Sequence, residues 1–210
     1  PICRLLYLAL VVSALVLVFA QFDSLAARLP RFRDFFSGSN LIWLAISLAV
    51  VKSLHELGHA FACKYFGGEC NRLGIMLIVF TPALYCDVSD AWLFPKRWQR
   101  LMVSGAGILV ELGLAAAATW LWALTNPGLL NSLALNVMFI CSLGTLLING
   151  NPLLRFDGYY LLADWFGVPN LQQQASDASY RLLGSAVAGI PPEPRRPLPE
   201  PSPALLIGYA

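Results

Sequence analysis

The chain has 210 residues, of which 58% are hydrophobic and only 12% charged, with a net charge of +2. Soluble domains carry about 25% charged residues, so this chain lacks the polar groups to coat a water-facing surface. Its mean hydropathy of +0.65 places it in the membrane class. The basic residues form no patch interleaved with aromatics, which argues against nucleic acid as a partner.

A membrane helix needs about 20 apolar residues. The first such run is Ile2–Ala20, which carries one arginine and resembles a signal peptide in composition. It is longer than a usual h-region and no small-residue cleavage site follows, so a membrane helix is the better reading. Further spans are expected over Leu41–Phe66, Met102–Leu124 and Ser132–Ile148. Between the second and third lies GIMLIVFTPALYC, residues 74–86, too short to cross, rich in β-branched residues and broken by Pro82. A re-entrant or interfacial β-hairpin fits it, because irregular backbone at membrane depth survives only against protein or a wet cavity. The expected fold is therefore an all-α polytopic membrane protein, with at least four transmembrane helices and one short hairpin.

Loop charges suggest an orientation. The connection 64–101 holds Lys64, Arg72, Lys96, Arg97 and Arg100, whereas 125–131 holds no charge. The first is then cytoplasmic, together with the end of the fourth helix near Arg155. Arg28, Arg31 and Arg33 in the 21–39 loop argue the other way. Residues 1–166 form the expected core and 167–203 a proline-rich linker, with seven prolines in PPEPRRPLPEPSP, residues 191–203. Residues 204–210 begin a new apolar run, and the chain reads as a segment of a longer protein.

The five cysteines, at 3, 63, 70, 86 and 141, include no CxxC pair, so neither a disulfide framework nor a four-cysteine metal site is expected. They read as small buried hydrophobes, with Cys63, one turn beyond His59, an outside candidate for a metal ligand. Trp43, Trp92, Trp98, Trp120, Trp122 and Trp165 sit near helix ends and read as interfacial anchors.

Chemistry concentrates in SLHELGHAFA, residues 53–62, which contains both histidines of the chain. Residues four apart lie on one helix face, so His55 and His59 point the same way and two imidazoles can bind one Zn²⁺. Glu56, about 100° around the helix from His55, can reach a water on that zinc without occupying a coordination position. Such a water has its pKa lowered to about 7, and Glu56 can take its proton. Gly58 leaves one side of the turn bare for a substrate or a neighbouring helix. A pair of core histidines is the bland alternative, but ionisable groups at membrane depth are costly.

A catalytic zinc needs a third protein ligand, and with no third histidine it must be Asp, Glu or Cys. The leading candidate lies in INGNPLLRFDGYYLLADW, residues 148–165, where Pro152 forces Asn151 out of helical geometry and Asp157 follows. Glu111 competes from the third span, where it would pair with Lys52 or sit beside the metal ligands as a proton-handling group. Lys52 has the simpler option of snorkelling toward a wet cavity. Asp87 and Asp90 flank a turn and read as caps.

HELGH on a membrane helix, followed after two hydrophobic segments by NPLLRFDGYY, resembles the site-2 protease family of intramembrane zinc metalloproteases over roughly residues 40–166. The resemblance implies Asp157 as the third ligand and Asn151 as a residue near the substrate. SGAGILVELGLAAAA, residues 104–118, is similar to the family's small-residue third helix, with Glu111 where the common pattern has Asn. TPALYCDVSDAW, residues 81–92, resembles a branch of peptide zinc metalloproteases. These are larger bacterial proteins often associated with secretion-type membrane-fusion components.

The expected function is hydrolysis of membrane-embedded or exported peptides at one zinc, in a multi-pass protein of the bacterial inner membrane. The partners are then the lipid bilayer and a peptide or membrane-protein substrate. The alternatives are a non-proteolytic component of an export or efflux complex in which zinc only pins helices, and a metal transporter. Glu56 argues against the first, because a structural zinc needs no base. The scarcity of polar residues argues against the second.

Overall fold

Long runs of Leu, Val and Ala, free of proline, give helices whose backbone is satisfied internally, as a bilayer requires. The structure is a computed structural model that describes residues 2–29, 35–78, 81–168 and 170–177. Helix α1 is Ile2–Ala20, followed by the short α2, Phe22–Arg28. Helix α3, Gly38–Tyr65, has 28 residues and is about 42 Å long at about 1.5 Å per residue, more than a bilayer core is thick. It stops where Gly67 takes the left-handed conformation at φ 88°.

Strands β1, Leu73–Ile78, and β2, Thr81–Cys86, then form the expected hairpin. They pair antiparallel, with Leu73 opposite Cys86 and Ile78 opposite Thr81. Strand β2 lies along α3.

After a 3₁₀ turn at Ser89–Leu93, the third expected span proves to be two helices, α4 at Arg97–Ser104 and α5 at Ala106–Leu124. The division falls at Gly105. It ends α4 at Ser104, and the Gly105 N–H points back to the carbonyls of Leu101 and Val103. Helix α6, Leu129–Leu143, starts three residues earlier than expected and passes into a π-helical turn, Gly144–Asn149. Helix α7 is Asp157–Phe166. Among the described residues, four helical stretches are long and apolar enough to cross a membrane: α1, α3, α5 and α6 with its π turn.

Helix α5 is the centre of the bundle, in contact with α1, α3 and α6. One core joins Val51 of α3 to Ile140 and Cys141 of α6; a second joins Ala118 and Trp122 of α5 to Ala134 and Leu135 of α6. Helix α1 buries only Ala14 and turns its apolar surface outward, as a lipid-facing helix does. The Tyr7 hydroxyl donates to the Leu109 carbonyl at 2.6 Å and Trp120 Nε1 to Ser13 Oγ at 3.1 Å, which ties α1 to α5.

Helix α7 is held to α4 by a buried clamp. Arg100 Nε donates to Asp164 Oδ1 at 2.8 Å and Ser104 Oγ to Oδ2 at 3.4 Å, while Arg100 Nη1 donates to the Phe94 carbonyl at 3.0 Å. Beyond α7, Val168 and Leu171 pack on Tyr159 and Ala163, and residues 171–177 are helical. The proline-rich stretch 191–203 and residues 204–210 lie outside the described residues.

Candidate metal centre

One turn of α3 carries both imidazoles into the bundle, where each is buried. His59 Nδ1 lies 2.7 Å from the carbonyl of Val103, in the last turn of α4. A carbonyl can only accept, so Nδ1 carries the hydrogen and Nε2 presents a lone pair. His55 Nδ1 stands 3.0 Å from Glu111 Oε1, again next to an acceptor. The two Nε2 atoms are 3.2 Å apart.

The third member comes from the far side of the chain. Asp157, the first residue of α7, brings Oδ2 to 3.0 Å from His55 Nε2 and 3.3 Å from His59 Nε2. Its placement depends on close backbone contact, since a Cβ on Gly158 would lie 2.5 Å from the carbonyl carbon and oxygen of Gly150. The Arg100–Asp164 clamp fixes the rest of the helix.

These three atoms fit zinc. Four ligands at about 2.0–2.1 Å in a tetrahedron are about 3.3 Å apart, and the observed separations run from 3.0 to 3.3 Å. Asp157 Oδ2 is buried with no aligned hydrogen-bond donor. Two nitrogen lone pairs and a carboxylate oxygen converging without a proton between them repel one another, and a cation removes that repulsion. Among the described residues, His55, His59 and Asp157 form the group that could hold a metal ion.

The other sequence candidates fall around this triad in different ways. Glu56 is half-buried beside both histidines and Asp157, close to Cys86 at the end of β2. Glu111 is fully buried. It accepts hydrogen bonds from Lys52 Nζ at 2.6 Å, from Asn149 Nδ2 at 2.9 Å and from the Thr145 hydroxyl. Asn151 sits at the break before α7, where its Oδ1 accepts the Leu153 N–H at 2.9 Å.

Cys63 is buried with its sulfur 3.9 Å from the Glu69 carbonyl and does not join the triad. Burial and a hydrogen bond with Cys70 push the Cys86 thiol up to about 12, so it stays protonated. Asp87 accepts from the Ser89 hydroxyl and amide, which hold its carboxyl below the ordinary range, and Asp90 accepts the Glu69 N–H at 3.0 Å. Asp87 thus closes the turn at Ser89, while Asp90 ties that turn back to Glu69 and caps no helix.

Three contributors were not legible as site residues. Gly107 faces the histidines so closely that a Cβ there would collide with the His55 ring and stand 2.5 Å from His59 Nε2. Thr145 and Asn149 reach Glu111 from the π-helical turn. The space beside Gly58 is filled by a helix rather than left open, since a Cβ there would lie 2.7 Å from Val110 Cγ2 and 3.2 Å from the Ala106 carbonyl oxygen.

Comparison with known proteins agrees with this geometry. The sequence model of peptidase family M50 matches residues 43–134, which include both histidines, Glu56 and Glu111. The chain is also 28% identical over 124 residues to a Bacillus subtilis (strain 168) protein named "Putative peptide zinc metalloprotease protein YydH". That alignment covers 58% of this chain and 47% of the relative, so the chain spans about half the relative's length. No solved structure matches. Asp157 lies beyond the family match and enters the site through the fold alone. Over residues 43–134 the chain is similar to peptidase family M50, the site-2 protease family.

Proposed function

We propose that this protein is an intramembrane zinc metalloprotease, with His55, His59 and Asp157 as zinc ligands and Glu56 as general base. The observation that carries this reading is the convergence of two imidazole nitrogens and a carboxylate oxygen within 3.0–3.3 Å of one another, beside a second carboxylate. Zinc held there supplies Lewis acidity to a water molecule and to the scissile carbonyl. Glu56 takes a proton from the attacking water and returns it to the departing amine.

Helical carbonyls are already hydrogen-bonded, so the substrate must present unwound, extended backbone. The hairpin beside Glu56 supports recognition by strand addition, and Asn151 at the neighbouring break is the proposed substrate contact. The substrates are membrane-embedded or exported peptides, and the location is a bacterial inner membrane, with secretion or membrane-fusion components as possible assembly partners. Similarity to a protein named as a peptide zinc metalloprotease supports the class of substrate.

Stripping metal from the purified protein in detergent or vesicles should abolish cleavage of a membrane-inserted peptide, and adding back zinc should restore it. Cleavage that persists at full rate in demonstrably metal-free protein would contradict the proposal.

A further inference from the structure

A carboxylate with no exposure at all, in a helix otherwise fit for lipid, is expensive unless it does something. Glu111 is such a group. Helix packing does not explain its surroundings, because four polar groups from two elements, α3 and the π turn, converge on one carboxylate. Lys52 comes from α3, Thr145 and Asn149 from the π turn, and His55 Nδ1 stands at 3.0 Å. The lysine, hydroxyl and amide can all donate, so each of these contacts treats Glu111 as an ionised acceptor. Oε1 is the oxygen that faces Lys52, Asn149 and the His55 ring together.

We infer that Glu111 is the positioning residue for His55, holding the hydrogen on Nδ1 and the ring in the orientation that turns Nε2 toward Asp157 and His59. This deepens the proposed function and rests on its zinc site. The parallel with His59 is close, since that ring is fixed through Nδ1 by the Val103 carbonyl. One histidine is thus oriented by a backbone dipole and the other by a full charge. Imidazole ligands that donate their second nitrogen to a carboxylate are stiffer and more basic than free ones.

Lys52 and the π turn follow from the same role. An isolated carboxylate at this depth would be too costly to keep ionised, and the ammonium at 2.6 Å offsets its charge. Thr145 and Asn149 fix the carboxylate's rotation, so Oε1 cannot swing from the ring. Their four-residue spacing puts both side chains on one face of that turn, where they reach the two oxygens of one carboxylate.

The test is Glu111→Gln in the full chain, purified in detergent, loaded with Co²⁺ for absorption spectroscopy and titrated with zinc. Gln keeps the shape and one acceptor oxygen but loses the charge, so the His55 Nδ1–H faces a neutral amide instead of a carboxylate. The expected result is an altered cobalt ligand-field spectrum and zinc affinity 10–100-fold weaker than wild type. A cobalt spectrum identical to wild type overturns the assignment, because loss of helix packing alone would not change the ligand field of a correctly formed site. Should Glu111→Gln fail to fold, Thr145→Val takes its place, with a shifted spectrum supporting the role and an unshifted one overturning it. His55→Ala and Asp157→Ala are measured alongside. If these retain zinc as tightly as wild type, the metal site itself is wrong; if they lose it and Glu111→Gln does not, only the positioning role is wrong.

Discussion

Replacing Gly107 with alanine should empty the metal site while leaving the helix bundle folded. The added methyl would collide with the His55 ring and stand 2.5 Å from His59 Nε2, inside contact distance of two of the three donor atoms. Neither ring can retreat, because His59 is tied to Val103 at 2.7 Å and His55 stands against Glu111. Alanine is also the better helix former by about 1 kcal/mol, so the loss cannot be ascribed to a weakened α5. Zinc content should fall from about one ion per chain to a small fraction of that, measured by elemental analysis of protein with unchanged helical circular dichroism. A Gly107→Ala protein with full zinc would show that the rings do not meet as described.

Glu56→Gln should separate binding from chemistry. Glu56 lies next to the triad without supplying one of its three atoms, so zinc should remain. Glutamine keeps the size and shape of the side chain, so its packing beside the hairpin should survive. What disappears is the proton acceptor, worth about 10²–10⁴-fold in rate for a positioned general base. Cleavage of a membrane-inserted peptide should drop by that factor at unchanged zinc stoichiometry. Wild-type cleavage by this variant would remove Glu56 from the mechanism, and the zinc would then serve only to pin helices.

Much of this site could be read from residues alone, and the reason is geometric. His55, Glu56 and His59 are close in sequence, and helix periodicity fixes their relation whatever surrounds them. The hairpin was legible because residues 74–86 are too few to span a bilayer and contain Pro82. Asp157 could be nominated because Asn151 and Pro152 break the chain just before it, although only the fold brings its carboxylate to 3.0 Å from His55.

The remainder depends on contacts that no local pattern encodes. Gly107 contributes by having no side chain, so its sequence signal is one more small residue in a small-residue helix. The interruption at Gly105 was hidden in the sequence, and so was the contact between His59 and the Val103 carbonyl beside it. Thr145 and Asn149 share a face by their spacing, but no local pattern says that this face meets Glu111. Each of these was set by what another helix needed, a tertiary demand.

The central claim is that residues about a hundred positions apart complete one zinc site. Zinc content of the purified wild type against Asp157→Ala, with peptide cleavage followed on the same samples, tests it most directly. The account predicts about one zinc per wild-type chain, and loss of both tightly held zinc and cleavage in the variant. Asp157→Ala protein that keeps stoichiometric zinc as tightly as wild type would contradict it.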